Sequence, residues 1–175
     1  ILKRSSAKIG DTIYLSGPTG WADLGLKILR EEKINCPDEK HAKKAFLYPE
    51  AKIDIGKRIA DLKVNSGAAI DISDGLSQDA HHLAKASKVT LLFNENQIKK
   101  MYPNYFLKES VFYGGEDYQL LITHPFPLEL IKEKDEHLSS LLFPVGKVIK
   151  QEKNLVLLES NGVNKALPDK GWRHF

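Results

Sequence analysis

Apolar and polar residues follow two different periods along the first part of the chain. The segment 12–16 is mostly apolar and ends at a turn of sequence GPTG, which is typical of a strand. Apolar residues then recur at helical spacing in three stretches. These stretches cover residues 22–29, 41–47 and 55–62. The pattern therefore predicts one strand followed by three helices.

The second part of the chain alternates strands and helices. A short strand is predicted over residues 68–73, an amphipathic helix begins at Gly75, and an apolar strand covers residues 89–93. Residues 94–113 show no regular period, and we expect a loop with one short helix there. Three further strands are predicted at residues 118–123, 145–149 and 155–158, and one short helix at residues 128–132. This order predicts an α+β layered domain with helices packed on a mixed central sheet.

Composition and charge narrow the class of protein. The chain has 175 residues, 42% of them hydrophobic and 28% charged, which suits one soluble domain. Twenty-six Lys and Arg against 23 Asp and Glu leave a formal charge of +3, so binding to nucleic acid is not expected. One cysteine, Cys36, and the lack of an apolar run near the roughly 20 residues that span a bilayer predict a cytoplasmic protein without membrane contact. The sequence does not begin with Met, and we expect it to be part of a longer protein.

The segment IDISDG, residues 70–75, is the strongest candidate for chemistry. Strand alternation places Asp71 and Ser73 on one face and two isoleucines on the other. A buried carboxylate needs a partner or a cation, and Asp71, Ser73 and Asp74 offer oxygen ligands suited to magnesium. Two plainer interpretations stay open, with Asp71 on an exposed strand face and Asp74 as the cap of the following helix. The N terminus of that helix also favours phosphate.

The remaining motifs are weaker. The segment GGEDY, residues 114–118, places two glycines and two acidic residues before a strand, which suits either a tight turn or a loop that touches a ligand. The GPTG turn lacks the spacing and the lysine of a phosphate-binding P-loop. His81 and His82 are adjacent in a helix and point in different directions, so a shared metal ion is not expected. The sequence contains no CxxC pair, HExxH motif or catalytic-triad signature, which argues against zinc chemistry and acyl transfer.

Four segments together resemble one family. KIGD at 8–11, IDISDGL at 70–76, GGEDYQL at 114–120 and the closing GWRHF at 171–175 are similar, in this order, to motifs of thiamine-monophosphate kinases. GGEDY is the element that most separates this family from aminoimidazole ribonucleotide synthetase, selenide water dikinase and a hydrogenase-maturation protein of the same superfamily. The chain departs from the family after the GPTG turn, where Trp21 and Ala22 stand in place of the Asp and Ser of many members.

The resemblance implies a fold and an activity. Members of the family transfer phosphate from ATP to thiamine monophosphate with magnesium, which gives thiamine diphosphate. They have two domains, and residues 1–175 resemble the C-terminal one, whose fold in the superfamily is an α+β layered domain. We therefore expect the N-terminal domain, which forms the homodimer and bears most of the metal-binding aspartates, to be absent here. The chain alone is expected to be inactive.

The resemblance also implies roles for residues in and near IDISDG. Asp71 and Asp74 match magnesium positions of the family, and Arg4 and Ser73 match ATP contacts. Since the acceptor is itself a phosphate with a second pKa of about 6, it is largely ionised near neutral pH and needs no catalytic base. Catalysis then consists of positioning, with magnesium and Arg4 offsetting the repulsion between two polyanions.

On the acceptor side, Glu116 matches a contact to the substrate. An aromatic residue near the end of the family's chain contacts thiamine, and it corresponds here to Trp172 or Phe175. Two alternatives stay open, another ATP-using enzyme of the superfamily and a binding module that has lost catalysis. A catalytic cysteine or a C-terminal thiocarboxylate system in the missing half would indicate the first. Titration of this chain with nucleotide and magnesium tests the second, since half of an enzyme site should bind weakly at best and show no turnover.

Overall fold

The computed structural model describes residues 2–62, 64 and 67–171, and in these ranges seven strands and eight helices build one mixed sheet with helices packed on it. The strands are β1 (Thr12–Leu15), β2 (Ala68–Ile72), β3 (Val89–Asn94), β4 (Gln119–His124), β5 (Phe143–Lys150), β6 (Val156–Ser160) and β7 (Val163–Ala166). The helices are α1 (Trp21–Leu29), α2 (Glu39–Leu47), α3 (Ile53–Asp61), α4 (Leu76–Ser87), α5 (Glu95–Lys99), α6 (Lys108–Tyr113), α7 (Leu128–Lys134) and α8 (Glu136–Ser140). Within the described ranges, every helix is too short or too polar to cross a membrane.

The first strand of the chain lies inside the sheet. The strand order is β2-β4-β1-β5-β3-β6-β7, and all neighbours are antiparallel except β3 and β6. β1 is bonded on both sides, since Tyr14 pairs with Ile122 of β4 and with Pro144 of β5. β2, α4 and β3 follow one another in sequence, but three strands separate β2 from β3. The predicted strand-helix-strand alternation therefore crosses most of the sheet.

Apolar side chains cover both faces of the sheet. Ile13 and Leu15 are buried in a cluster that includes α4, whereas Tyr14 between them is buried in a cluster that includes α3, α7 and α8. Successive residues of a strand point to opposite faces, so the two clusters lie on opposite sides. Helices thus pack on both sides of a mixed sheet, and the predicted α+β layered fold is confirmed.

Three regions differ from the sequence prediction. Residues 94–113 hold two short helices, α5 and α6, instead of one, and α8 and β7 have no predicted counterpart. α5 and α8 begin where the side chains of Asn94 and Asp135 accept a hydrogen bond from the backbone N–H three residues later. β7 is exposed along its length and pairs with β6 through Asn161 and Gly162, which both have positive φ. Elements this short or this exposed leave no apolar period in the sequence.

Candidate active site

The loops that bear the two main motifs lie side by side. The first loop, residues 73–75, joins β2 to α4, and the second, residues 114–118, joins α6 to β4. The backbone N–H of Glu116 donates to the carbonyl of Ser73 at 2.8 Å, and the N–H of Tyr118 donates to the carbonyl of Ile72 at 2.9 Å. Residues far apart in sequence are thus brought together by direct backbone hydrogen bonds.

Glycines allow this close approach. Gly75 has a φ of +118°, and a Cβ added there would lie 3.1 Å from the carbonyl oxygen of Gly114 and from the backbone of Tyr113. A Cβ on Gly114 would lie 2.5 Å from the Cβ of Asp23 in α1. One glycine of each motif is therefore required by packing of the loops against each other and against α1.

The backbone around GGEDY is strained in two non-glycine residues. Glu116 has a φ of 68° and Tyr118 a φ of 49°, values in the left-handed region that side chains disfavour. The hydroxyl of Tyr118 donates to Oε2 of Glu116 at 3.0 Å, and this hydrogen bond is the main cause that raises the pKa of the Tyr118 hydroxyl. The predicted acceptor contact, Glu116, is thus held in a defined orientation by the residue two positions later.

Asp117, between these two residues, anchors α1. Its buried carboxylate accepts the backbone N–H groups of Gly20 and of Ala22, the latter at 3.1 Å. Burial raises the pKa of Asp117 to about 7, although these backbone donors act in the opposite direction. The role of Asp117 was not predicted, because the helix that it caps lies almost a hundred residues earlier in the chain.

Asp71 lies on an exposed strand face and beside Arg4. The neighbours Ile70 and Ile72 are buried, as alternation predicts, whereas the side chain of Asp71 is 50% exposed. Nη2 of Arg4 lies 4.0 Å from Oδ1 of Asp71, and an exposed pair at this distance contributes little to stability. The structure therefore brings together a predicted metal ligand and a predicted ATP contact, in a place open to a ligand.

Asp74 lies directly before the N-cap residue of α4. That N-cap residue is Gly75, which has no side chain with which to cap the helix. Oδ2 of Asp74 accepts a hydrogen bond from Nε2 of Gln78 in the first turn of α4 at 3.3 Å. Asp74 is thus held at the N terminus of the helix, where its predicted metal role stays a prediction.

The sequence interpretation missed Asp79, which organises the first loop. Oδ2 of this buried side chain accepts the N–H of Ser73 at 3.1 Å and of Asp74 at 3.0 Å. Burial is the largest cause that raises the pKa of Asp79 to about 6, and repulsion from Asp74 and Asp71 adds to it. Asp79 therefore fixes the backbone of Ser73, the predicted ATP contact, and of Asp74, the predicted metal ligand.

The donor set fits a hard cation. Asp74, Asp79 and His82 each offer one atom, and these atoms lie within 4.8 Å of one another. Oxygen donors from two carboxylates suit magnesium, which prefers such ligands, and a cation would relieve the repulsion between Asp74 and Asp79. Asp71, in β2 just before this loop, supplies a third carboxylate. A cavity of about 330 Å³ opens beside Asp71 and is also lined by Tyr118.

Two predicted residues, Trp172 and Phe175, lie outside the described residues. Gly171, the last residue described, packs against the first loop, since a Cβ added to it would lie 2.2 Å from the carbonyl oxygen of Asp74. The described part of the chain therefore ends at the candidate site, and the predicted thiamine contact stays a prediction.

Comparison with known proteins relates nearly the whole chain to one group. The chain is 35% identical over 181 residues to the thiamine-monophosphate kinase of Aquifex aeolicus (strain VF5), and the match covers 98% of this chain and 54% of the relative. A structure described as AaThiL complexed with AMPPCP and TMP matches with a TM-score of 0.74 at 34% identity, over 99% of this chain and 54% of that one. The chain thus spans about half the length of the relatives that it matches.

A more distant likeness concerns the fold alone. Escherichia coli HypE, a hydrogenase maturation protein, matches with a TM-score of 0.66 at 17% identity, over 95% of this chain and 52% of HypE. None of the protein-family models compared with the chain matches it. The chain spans about half the length of the thiamine-monophosphate kinases compared with it, and it is similar to them along nearly all of its own length. The chain therefore belongs to the thiamine-monophosphate kinase family.

Proposed function

We propose that the chain is the C-terminal half of an enzyme that uses ATP and magnesium to phosphorylate thiamine monophosphate, which gives thiamine diphosphate. The observation that supports this most is that β2 and the first loop, which bear Asp71 and Asp74, are hydrogen-bonded directly to the second loop, which bears Glu116. Phosphate transfer needs metal ligands beside acceptor ligands. The similarity to AaThiL, whose structure is described as complexed with AMPPCP and TMP, agrees with this proposal.

Each residue of the site acts by binding and orienting. Asp71 and Asp74 would hold magnesium, which when bound supplies charge to offset the repulsion between the two phosphates. Arg4 and Ser73 contact ATP, and Glu116 contacts the acceptor. Because the acceptor phosphate is already ionised near neutral pH, these residues position two ligands and no side chain needs to remove a proton.

The proposal includes a larger assembly. The N-terminal half of the longer protein completes the site and forms the homodimer, and one of the C-terminal aromatic residues, Trp172 or Phe175, supplies a contact to thiamine. Substrates of this kind place the enzyme in the cytoplasm. Asp71 and Asp74, with Asp79 beside them, supply only part of the proposed metal site, and we assign the rest of it to that other half.

The substitution Asp71→Asn in the longer protein tests the proposed metal role. Asn keeps the size of the side chain but loses the negative charge that attracts magnesium, so we expect kcat to fall about 100-fold or more. The measurement is the formation of thiamine diphosphate from thiamine monophosphate at saturating ATP and magnesium. A matched control is Asp61→Asn at the exposed C-terminal end of α3, where we expect kcat within about twofold of wild type.

The outcomes separate the metal role from the function. An Asp71→Asn enzyme as active as the Asp61→Asn enzyme would contradict the role of Asp71 as a metal ligand. A wild-type longer protein that makes no thiamine diphosphate would contradict the proposed function itself.

A further inference from the structure

The last described segment of the chain, residues 167–171, lies over the first turn of α4, and we call it the C-terminal strap. Its first residue, Leu167, is buried in the core cluster that includes α4, and the N–H of Leu167 donates to the carbonyl of Val156 in β6 at 3.0 Å. Its last residue, Gly171, packs against Asp74 of the first loop. The strap therefore joins the sheet to the candidate site.

Side chains of α4 and α6 hold the strap in its path. The hydroxyl of Ser77, which is fully buried, donates to the carbonyl of Pro168 at 2.6 Å. Nζ of Lys170 lies 5.0 Å from the ring centroid of Tyr113 and 3.5 Å from Oε2 of Glu109. The ion pair is exposed and contributes little, whereas loss of the buried hydroxyl would leave a carbonyl without its donor. Ser77 therefore fixes the path of the strap more firmly than Lys170 does.

The strap packs directly on the side chain of Gln78, in the first turn of α4. A Cβ added to Gly171 would lie 2.5 Å from Oε1 and 2.9 Å from Cβ of Gln78. It would also lie 2.2 Å from the carbonyl oxygen of Asp74. Only a residue without a side chain allows the backbone to come so close. The half-buried side chain of Gln78 is therefore confined between the strap and the first loop.

Gln78 in turn holds the carboxylate of Asp74. Its Nε2 donates to Oδ2 of Asp74 at 3.3 Å. The reversed amide would place Oε1 against a carboxylate oxygen, so the hydrogen bond itself fixes which end of the amide faces Asp74. A carboxylate held through one oxygen presents the other in a defined direction, which is how outer hydrogen bonds support metal ligands in proteins.

A plainer interpretation is a surface pair that only stabilises α4. Glutamine and aspartate four residues apart do stabilise exposed helices, but weakly. Asp74, however, precedes the N-cap residue Gly75 and is not part of the helix. The pair is also covered by Gly171, and helix stability needs no such cover. The contacts therefore favour a role in the orientation of Asp74.

We propose that Gln78 is a positioning residue, which orients the carboxylate of Asp74 toward the proposed magnesium ion, and that the C-terminal strap holds Gln78 in place. This inference rests on the proposed function, in which Asp74 is a metal ligand. Gln78 and Gly171 then act on the reaction only through Asp74.

The test measures metal binding in the longer protein, with Mn²⁺ alone as the probe and the signal of free Mn²⁺ in electron paramagnetic resonance as the readout. Gln78→Leu keeps the approximate size of the side chain but removes the donor. We expect the affinity of one Mn²⁺ site to fall about tenfold. In the kinase assay the apparent KM for magnesium should rise by a similar factor, while kcat at saturating magnesium stays within about twofold of wild type.

Gly171→Ala tests whether the strap acts through Gln78. The added methyl group must displace the strap, so we again expect Mn²⁺ affinity to fall about tenfold. Because both substitutions remove the same hydrogen bond, the double variant should bind Mn²⁺ within about threefold of the weaker single variant. Independent effects would instead multiply to about 100-fold.

Gln151→Leu is the matched control, since Gln151 is exposed after the end of β5 and undergoes the same exchange. Its Mn²⁺ affinity should stay within about twofold of wild type. Urea unfolding shows whether each variant is folded. Gln78→Leu alone is a sufficient test if Gly171→Ala is not folded.

Several results would overturn the inference. They are a wild-type protein that binds no Mn²⁺, a Gln78→Leu protein that binds Mn²⁺ as tightly as the Gln151→Leu control, a double variant whose losses multiply, and a loss of kcat that saturating magnesium does not restore. Failure of the proposed function has a different signature, since a longer protein without kinase activity leaves the Mn²⁺ titrations of all variants measurable.

Discussion

His124, in β4, is a fully buried side chain with an incomplete set of hydrogen bonds. Its Nδ1 accepts the backbone N–H of Phe126 at 3.1 Å, so the neutral ring bears its proton on Nε2. Nε2 is buried and has no hydrogen-bond partner within the described residues. The ring of Phe126 packs edge-on at 5.0 Å. Burial lowers the pKa of His124, because a charged imidazolium in this apolar position would lack both water and a counter-ion.

This environment predicts a loss of stability in mild acid. The pKa of His124 is lower in the folded chain than its usual 6.5, so the stabilisation is present above pH 6.5 and is lost as pH falls through the folded pKa. Between 6.5 and the lower folded pKa, the free energy of unfolding should fall by up to about 1.4 kcal/mol for each unit by which the pH decreases, and below the folded pKa this residue adds no further change. In His124→Asn, whose side chain keeps an acceptor but does not titrate, this part of the slope should be absent. Urea unfolding between pH 5 and 8 measures both slopes, and equal slopes would contradict the prediction.

At the scale of elements, Asp117 connects the GGEDY loop to α1. The N-cap residue of α1 is Gly20, which offers no side-chain cap, and Asp117 takes that role from the loop before β4. A carboxylate at the N terminus of a helix is favoured by the free N–H groups and by the helix dipole. The position of α1, and with it that of Trp21, therefore depends on the same loop that presents Glu116.

Asp117→Asn should destabilise the chain by about 2 kcal/mol. Asparagine has one acceptor oxygen, so its amide group must face a backbone N–H that now donates to the carboxylate. Asp38→Asn is the matched control, since Asp38 caps α2 at the surface through the N–H of His41 and asparagine caps helices equally well. Urea unfolding at pH 7.5 should show a change of less than about 0.5 kcal/mol for this control. An equal effect of the two substitutions would argue against a role of Asp117 as the anchor of α1.

Elements with a long apolar period were predictable from sequence, and those held by distant contacts were not. α4 and β2 show their buried faces as regular spacing, for example in Ile70 and Ile72. The irregular stretch 94–113 is fixed instead by distant contacts, such as the hydroxyl of Tyr102, which accepts the N–H of Thr19 at 2.8 Å and donates to its carbonyl at 2.9 Å. Local sequence contains no trace of such a partner.

The residues of the candidate site also fall into two groups, those that the local sequence marks and those that act through distant contacts. Asp71 and Asp74 stand out because aspartate is unusual in and directly after an apolar strand. Asp79 and Asp117 do not stand out, since a single acid in a helix or a loop is common and its backbone partners become neighbours only in the folded chain. The residues expected to touch ligands thus stand out in the sequence, and their roles stay predictions, whereas the residues that hold the loops in place do not stand out.

At the scale of the whole molecule, the chain holds only part of the proposed reaction site. Asp71 and Asp74, the two proposed metal ligands, lie at a surface whose side chains are partly open to water. Two phosphates and their magnesium ions need more ligands than this surface offers, and the longer family members contain about as much chain again.

The chain of 175 residues alone should therefore form no thiamine diphosphate from ATP and thiamine monophosphate. The measurement is product formation over several hours with excess magnesium, with the longer protein under the same conditions as the positive control. Magnesium removal by a chelator should abolish the activity of that control. Turnover by the isolated chain would contradict the proposal that the site is divided between two halves.

The order of the strands also has a consequence for how the chain acquires its fold. β1 leaves the ribosome before the other strands of this sheet, yet it is bonded on both sides to strands whose residues, such as His124 and Lys147, emerge much later. Both edges of β1 stay open until β4 emerges, and one edge stays open until β5 is complete. Folding must wait for most of the chain and then close very long loops, which favours slow folding and dependence on chaperones during synthesis.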